Sequence, residues 1–245
     1  MDIPSKLWVI VPVYNEEASI VHVVEEWMPE LRRNVGKGQF VFCTLNDGSK
    51  DNTSEILHEQ SKKYPEIVVI DKQNTGHGQT CVFGYREALM NNAEWIFQID
   101  SDGQCDPSFF KLFWNQRNRH RIIYGFRTKR DDGFSRFLIS RVVTLVVFFA
   151  TGVFVRDANV PYRLMHASTL KDVIQHIPHD FKLSNILLAA VQKRLYYIKW
   201  VSITFRDRYG GSPSVKTYSF MKEGLKLHRQ LKVFCKSTKY RVELV

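Results

Sequence analysis

Cysteine is scarce in this chain and long hydrophobic runs are missing. Its 245 residues include four cysteines, which are scattered and form no CxxC pair: Cys43, Cys81, Cys105 and Cys235. We expect reduced thiols, not a disulfide framework or a zinc site. No apolar run reaches about 18 residues, so no segment is expected to span a bilayer. The first residues carry no basic region followed by an apolar stretch, so we expect no signal peptide.

An excess of acidic residues is also missing, because the net charge is +10. Residues 216–245 hold eight Lys or Arg and two Glu, which is +6 of that total. On a helical wheel these apolar residues share one face: Phe220, Leu227, Leu231 and Phe234. These basic residues lie opposite: Lys222, Lys226, Arg229 and Lys236. The pattern predicts a basic amphipathic helix on an anionic membrane surface, with a solvated charged helix as the alternative. No nucleic-acid recognition motif occurs, so no nucleic-acid partner is expected.

What the chain has in quantity is an alternation of strand-like and helix-like patterns. Short apolar stretches predict strands at 7–13, 40–45, 67–70, 95–99, 122–126 and 196–205. Helical spacing and capping residues predict helices at 16–33, 53–64, 79–91 and 181–193, the second capped by Asn52 to Glu55. This alternation predicts an α/β domain with a mostly parallel sheet and helices on both faces. Ligands in such a sheet collect at the carboxyl ends of the strands.

The predicted strand at 95–99 runs directly into Asp100-Ser101-Asp102, with Asp106 close behind. Two alternate carboxylates at a strand end can hold a hard divalent cation, and that cation can hold a diphosphate. A plain turn also produces Asp-x-Asp, so the motif needs support from the rest of the chain.

Three other segments follow predicted strands. In VIVPVYNEE, Tyr14 can stack on a nucleobase, while Glu16 can accept hydrogen bonds from a base or ribose. In NDGSKDNT, Asp47 is expected to face the same cleft. In NTGHGQT, Gly76 and Gly78 begin a predicted helix, whose N-terminus favours anionic groups.

In this order and spacing, the segments resemble family 2 glycosyltransferases of the GT-A fold, from Leu7 to about Ser212. The later motifs are similar to those of the polyprenyl-phosphate sugar synthases: GFR at 125–127, RFLIS at 136–140 and FRDRYGGS at 205–212. The resemblance implies a Rossmann-like GT-A domain over residues 1–215, followed by the basic tail at 216–245.

The resemblance also implies roles for individual residues. Three residues would bind Mg²⁺ or Mn²⁺: Asp100, Asp102 and Gln104. The donor nucleotide would contact Pro12, Tyr14, Glu16, Asn46, Asp47, Gly78, Asp100 and Ser101. The acceptor phosphate would contact Arg127, Arg136, Ser140 and Arg208. The catalytic residues would be Asp102, Arg127 and Arg208. Asn46 departs from the family, which has an acid there, so the identity of the nucleotide base stays open.

The activity implied is inverting transfer of a sugar from a UDP- or GDP-sugar to a polyprenyl phosphate, by a metal-dependent hexosyltransferase at the cytoplasmic face of a membrane. The alternative is a family 2 transferase that acts on a glycan hydroxyl, with Asp180 as general base. A nucleotidyltransferase would need a basic glycine-rich loop after the first strand, where this chain has Tyr-Asn-Glu-Glu at 14–17.

Residues 142–155 are nearly all apolar, but the stretch is too short to span a bilayer. Three interpretations are open: a buried core helix, a dimer interface, or a helix at the membrane surface that leads the lipid to the site. The resemblance favours the last, with 136–155 as a peripheral membrane-facing segment. A second copy of the chain or a membrane-anchored protein is a candidate partner.

Overall fold

A computed structural model describes residues 6–129, 144–175, 177, 183–209, 228–229 and 231–232. These residues form a seven-stranded sheet of order β3-β2-β1-β4-β6-β5-β7. Its strands are β1 (Leu7–Val13), β2 (Phe40–Asn46), β3 (Ile67–Asp71), β4 (Trp95–Gln98), β5 (Ile122–Lys129), β6 (Arg163–His166) and β7 (Lys199–Thr204). Only β6 runs antiparallel to its neighbours among these strands. The predicted mostly parallel α/β sheet is therefore confirmed.

The described helices are α1 (Ile20–Asn34), α2 (Thr53–Lys63), α3 (His77–Met90), α4 (Phe110–Gln116), α5 (residues 144–151), α6 (Ala167–Ile174) and α7 (Ser184–Leu195). A short 3₁₀ turn at Pro107–Phe109 precedes α4. The sequence patterns missed α4, β6 and α6. They also ended β5 too early, because this strand continues to Lys129 beside β7.

Two predictions about where helices begin were wrong. The helix expected from residue 16 begins at Ile20. At the start of α2, Asn52 makes no side-chain cap; its amide donates instead to the Glu17 carboxylate at 3.0 Å.

Helices cover both faces of the sheet, as adjacent residues of β4 demonstrate. Phe97 packs against Trp27 of α1, with the ring centroids 5.6 Å apart. On the opposite face, the buried side chain of Gln98 accepts a hydrogen bond from Tyr85 of α3. Successive strand residues point to opposite faces, so one strand contacts both helical layers. A Cβ at Gly84 would lie 2.4 Å from Leu45 Cδ1, so glycine allows α3 to approach the sheet this closely.

Pro12 was expected just past the first strand, but it lies inside β1 opposite Leu45 of β2. Its carbonyl faces the β4 side, where it accepts a hydrogen bond from Ser101 Oγ at 2.9 Å. Pairing between β1 and β4 has already ended at Ile10 and Gln98. The missing N–H of proline therefore interrupts no ladder bond on that side.

The strand order reverses at β1, because β2 and β3 lie on one side of it and β4 lies on the other. Chain segments separate above such a reversal and leave a crevice at the carboxyl ends of the strands. Pro12, Ser101 and Asp102 meet there. Among the described helices, none is long and apolar enough to cross a membrane.

Candidate active site

The loop after β4 carries the two predicted carboxylates. Asp102 is 5% exposed. Its Oδ1 accepts the backbone N–H of Gln104 at 3.1 Å, and its Oδ2 accepts Arg208 Nε at 2.8 Å. Asp100 Oδ1 is buried, and no described residue donates a hydrogen bond to it. Burial, together with the neighbouring Asp102, raises the pKa of the Asp100 carboxyl in spite of the nearby His77.

These carboxylates fit a divalent cation. A buried carboxylate oxygen without a donor is costly unless a cation or a proton satisfies it. Asp102 already holds one positive group, the guanidinium of Arg208. Within the described residues, however, no group of three or more His, Cys, Asp or Glu forms a complete metal site. The side chain of Gln104, the third predicted ligand, donates to the Arg206 carbonyl at 3.3 Å.

His77 stands beside Asp100 and was not among the predicted site residues. Its Nε2 lies 3.5 Å from Asp100 Oδ1. Burial opposes the shift, but Cys81 and Asp100 together raise the pKa of His77 above its ordinary value. Its position between Gly76 and Gly78, at the first residue of α3, was the available sequence signal.

The segment after β1 is organised by hydrogen bonds within the protein. Tyr14 is 40% exposed at the crevice, as stacking on a base requires. Glu16 accepts a hydrogen bond from Ser19, and its own N–H donates to Thr53 Oγ1 at 2.9 Å. Burial is the largest of the causes that raise the pKa of Glu16. Ser101 is fastened on both sides, since its hydroxyl donates to Pro12 and its carbonyl accepts from the Ser19 hydroxyl at 3.1 Å.

Asn46 and Asp47 both have partners in the protein. The Asn46 amide donates to Asp71 Oδ1 at 2.7 Å, and its oxygen accepts the Ser49 N–H at 3.1 Å. Asp47 is 3% exposed and pairs with Lys72. Asp71, at the end of β3, also accepts a hydrogen bond from the Ser54 hydroxyl at 2.8 Å.

Asp47 also shapes the loop before α3. Its carboxylate accepts the N–H groups of Thr75 and Gly76, each at 2.9 Å. Burial alone would raise the pKa of Asp47, but the hydrogen bonds from Lys72 and Thr75 outweigh it and lower the pKa. Gly76 precedes α3 with φ +89°, and Gly78 is buried in the first turn. The glycine segment is thereby fixed at the helix N-terminus, where an anion is favoured.

Arg127 lies in β5, opposite Ile203 of β7, and forms a bidentate ion pair. Its Nε and Nη2 each lie 2.7 Å from the carboxylate of Asp157. The side chains are 15% and 4% exposed. Asp157 was missed, because nothing local in its segment marks it as the partner of a residue 30 positions earlier.

Arg163, the first residue of β6, is a second residue that the sequence patterns missed. It is fully buried, and its guanidinium donates to three carbonyls: those of Ala158, Val160 and Asn185. Its guanidinium carbon lies 4.6 Å from the ring centroid of Tyr124. Arg163 thus connects the segment that carries Asp157 to α7.

Arg136, Ser140 and Asp180 lie outside the described residues.

An apolar surface lies on α5 and the residues that follow it. Four of its side chains are exposed: Leu145 at 54%, Phe148 at 42%, Phe149 at 71% and Phe154 at 55%. Val147 and Val155 are buried. The segment is therefore not wholly in the core, although its residues before 144 and most of the tail at 216–245 lie outside the described part.

Residues 8–177 match the family described as Glycosyl transferase family 2. A dolichyl-phosphate β-glucosyltransferase of Trichomonas vaginalis is 25% identical over 84% of this chain and 67% of its own length. An undecaprenyl-phosphate 4-deoxy-4-formamido-L-arabinose transferase of Pectobacterium atrosepticum is 27% identical over 59% of this chain. This chain spans 43% of that relative and 57% of another of the Trichomonas vaginalis glucosyltransferases.

Solved structures share the fold. The glucosyl-3-phosphoglycerate synthase of Mycobacterium tuberculosis, in complex with Mn²⁺, UDP-glucose and phosphoglyceric acid, aligns with a TM-score of 0.62 and 16% identity. That alignment covers 94% of this chain and 79% of the synthase. S. aureus TarS in complex with UDP aligns with a TM-score of 0.58 and 18% identity, over 96% and 72% of the two chains. The expected GT-A fold is thereby confirmed.

Proposed function

The chain belongs to Glycosyl transferase family 2, and we propose that it transfers a sugar, with inversion, from a UDP- or GDP-sugar to a polyprenyl phosphate. The observation that carries the proposal is the ion pair between Arg208 and Asp102 at the mouth of the crevice. A guanidinium beside the reacting centre suits an acceptor that is itself an anion. The named relatives that use dolichyl or undecaprenyl phosphate support the same acceptor class.

An anionic acceptor simplifies the chemistry. Cleavage of the anomeric C–O bond passes through an oxocarbenium-like transition state, which a nucleophile attacks from the opposite face in an inverting enzyme. A hydroxyl nucleophile would need a general base. A phosphate monoester has a second pKa near about 6 and is already largely dianionic at neutral pH. Arg208 and Arg127 would then orient the phosphate and hold its charge near the sugar.

Asp100 and Asp102 would hold Mg²⁺ or Mn²⁺, which fits the buried Asp100 Oδ1, an oxygen that accepts no hydrogen bond from a described residue and faces His77 Nε2 at 3.5 Å. Such a cation, when bound, stabilises the negative charge that gathers on the leaving diphosphate. The protein would position the donor with its own groups. Tyr14 would stack on the base, and the N-terminus of α3 with its glycines would face the diphosphate.

The exposed apolar side chains of α5 and Phe154 support a peripheral position at a membrane. Single exposed apolar residues are common on protein surfaces, but a group of phenylalanines is typical of an interaction site. Because a polyprenyl chain lies in the bilayer, we propose that this surface rests at the cytoplasmic face and brings the site to headgroup depth.

The test is a transfer assay with radiolabelled UDP- and GDP-sugars, Mg²⁺ or Mn²⁺, and dolichyl or undecaprenyl phosphate. We expect label in the butanol-extractable lipid with one donor, and NMR of the product should show the anomeric configuration inverted. Asp102→Asn should reduce transfer by about 10³-fold, because it removes a carboxylate ligand of the cation that would stabilise the charge on the leaving diphosphate. Asp172→Asn is the matched control. Asp172 accepts a hydrogen bond from the Tyr196 hydroxyl at the surface, and this variant should transfer sugar at the wild-type rate.

Donor hydrolysis without a lipid product would contradict the lipid-phosphate acceptor. Transfer to a glycan hydroxyl instead would favour the alternative with Asp180 as base. An Asp102→Asn protein with wild-type transfer would remove the cation-site assignment.

A further inference from the structure

Residues 205–209, here called the strap, lie antiparallel across residues 102–106, here called the carboxylate loop. Cys105 and Phe205 form an isolated antiparallel bridge. The Arg206 N–H donates to the Gln104 carbonyl at 3.1 Å, and the Tyr209 N–H donates to the Asp102 carbonyl at 3.3 Å. The strap is therefore in register with the loop that bears the proposed metal ligands.

Glu26 of α1 fastens the strap from outside. Both of its carboxylate oxygens lie 3.1 Å from Arg206 Nη1, and Oε1 also accepts the Tyr209 hydroxyl at 2.7 Å. The other end of the Arg206 guanidinium lies 2.7 Å from Asp106 Oδ1. Arg206 thus joins α1 to the carboxylate loop. One helical carboxylate holds two of the five strap residues.

Tyr209 closes the arrangement. A Cβ at Gly103, which has φ +81°, would lie 2.2 Å from Tyr209 Cδ2, so the ring is in contact with the carboxylate loop. The ring of His22 in α1 lies 5.5 Å from the Tyr209 ring on another side. The Tyr209 ring is thus held between α1 and the loop at the place where only glycine leaves room for it.

Fastened in this way, the strap directs Arg208 onto Asp102 Oδ2 at 2.8 Å. The same carboxylate is a proposed ligand of the divalent cation. A guanidinium and a divalent cation compete for the same carboxylate oxygen, so binding of the cation breaks the hydrogen bond from the guanidinium. Holding the strap closed therefore favours Arg208 at Asp102, and loosening it favours the cation there.

We propose that Glu26 is a positioning residue that sets the exchange of Arg208 and the divalent cation at Asp102. The inference rests on the proposed function only for what Arg208 does next. When the cation replaces the Arg208 guanidinium at Asp102, Arg208 is released at the mouth of the crevice. The fastened strap then keeps Arg208 within reach of the acceptor phosphate. Loss of Glu26 has two opposite consequences: easier cation binding and poorer use of the acceptor.

The test compares Glu26→Ala with Glu25→Ala. Glu25 is the preceding residue of the same helix and pairs with Lys63 at 3.0 Å, away from the strap. Mn²⁺ binding is measured on the full chain by electron paramagnetic resonance, without nucleotide or acceptor. We expect the Mn²⁺ dissociation constant of Glu26→Ala to fall about threefold, the factor typical of losing an exposed charge pair. Glu25→Ala should bind Mn²⁺ like the wild type.

A second variant, Tyr209→Phe, keeps the ring over Gly103 and removes the hydroxyl that donates a hydrogen bond to Glu26. Its Mn²⁺ dissociation constant should fall in the same direction by a smaller factor. In the transfer assay, Glu26→Ala should raise the KM for polyprenyl phosphate about threefold while kcat changes little.

Weaker or unchanged Mn²⁺ binding by Glu26→Ala, with thermal unfolding like that of Glu25→Ala, would overturn the inference. A purely structural role would weaken cation and acceptor binding together. The two proposals fail separately: a wild-type protein that transfers nothing to lipid phosphate contradicts the proposed function, while the Mn²⁺ titration still decides the role of Glu26.

Discussion

The two halves of the crevice, here called the donor half and the acceptor half after their proposed ligands, hold their polar groups by different means. In the donor half, which is built on β3, β2, β1 and β4, Asn46, Asp47 and Ser101 are bound to neighbouring loops. In the acceptor half, which is built on β6, β5 and β7, Arg127 and Arg208 are each closed on a carboxylate. The donor side is thus preorganised. On the acceptor side, both guanidinium groups are neutralised by carboxylates of the protein.

The difference has a physical basis. In the donor half, hydrogen bonds to neighbouring loops and the ion pair of Asp47 with Lys72 hold the surface in place within the protein. Two arginines left unpaired in a partly buried crevice would be poorly solvated. Asp157 and Asp102 relieve that cost in the protein without ligand. A phosphate can replace either carboxylate as the partner, because a guanidinium binds both groups through its N–H donors.

The largest expected effect is at Arg127. Arg127→Ala should lower the free energy of unfolding by about 3 kcal/mol, because it removes the bidentate partner of the buried Asp157 carboxylate. The same variant should raise the KM for lipid phosphate far more than the KM for the donor. Urea unfolding and steady-state kinetics measure the two effects.

The double variant Arg127→Ala with Asp157→Ala separates the two roles of Arg127. It should regain part of the lost stability, since the Asp157 carboxylate is no longer buried without its bidentate partner, but it should not regain acceptor use. If acceptor KM returns together with stability, Arg127 is a structural residue and the comparison between the halves fails.

A smaller effect is expected at the apolar surface of the acceptor half. Phe149→Ser with Phe154→Ser should lower binding to anionic liposomes by about tenfold or more, because each buried phenyl contributes about 1.5 kcal/mol. Met90, at the end of α3, is 66% exposed in the donor half. Met90→Ser should leave the sedimented fraction unchanged. Equal losses for both variants would mean that membrane contact does not distinguish the halves.

The smallest effect concerns pH and the donor half. Hydrogen bonds from Arg32, at 2.9 and 2.8 Å, lower the pKa of Glu66 below its ordinary value of 4.5. A carboxyl whose pKa is lower in the folded protein stabilises it above the ordinary pKa, and that stabilisation is lost as pH falls through the folded value.

The stability difference between the wild type and Glu66→Gln should therefore be about 1 kcal/mol at pH 7, where exposure of Arg32 weakens the pair, and should vanish in acid. Urea unfolding from pH 7 to pH 3 measures it. Glu25→Gln, which removes the exposed pair with Lys63, is the matched control for the loss of a surface carboxylate. A Glu66→Gln difference that grows in acid would contradict the assigned sign.

Much of the donor half could be predicted along the chain. Apolar stretches that end in acids or asparagine located β1, β2 and β4 within a residue or two, and with them the carboxylates at their ends. The sequence patterns missed β6 because it has four residues, one of them the buried charged Arg163. An arginine with carbonyl partners from two other segments does not look like a core residue in the sequence.

The sequence by itself determined the parallel α/β layout and the place of Asp100 and Asp102, because strand periodicity and strand ends are local properties of the chain. Only the tertiary structure decided that Arg208 meets Asp102, 106 residues away, and that Glu26 meets Tyr209, 183 residues away. Those pairs depend on how β6 and β7 join the sheet and on how the strap crosses the carboxylate loop. Long-range register arises from packing of the whole domain, so no local pattern carries it.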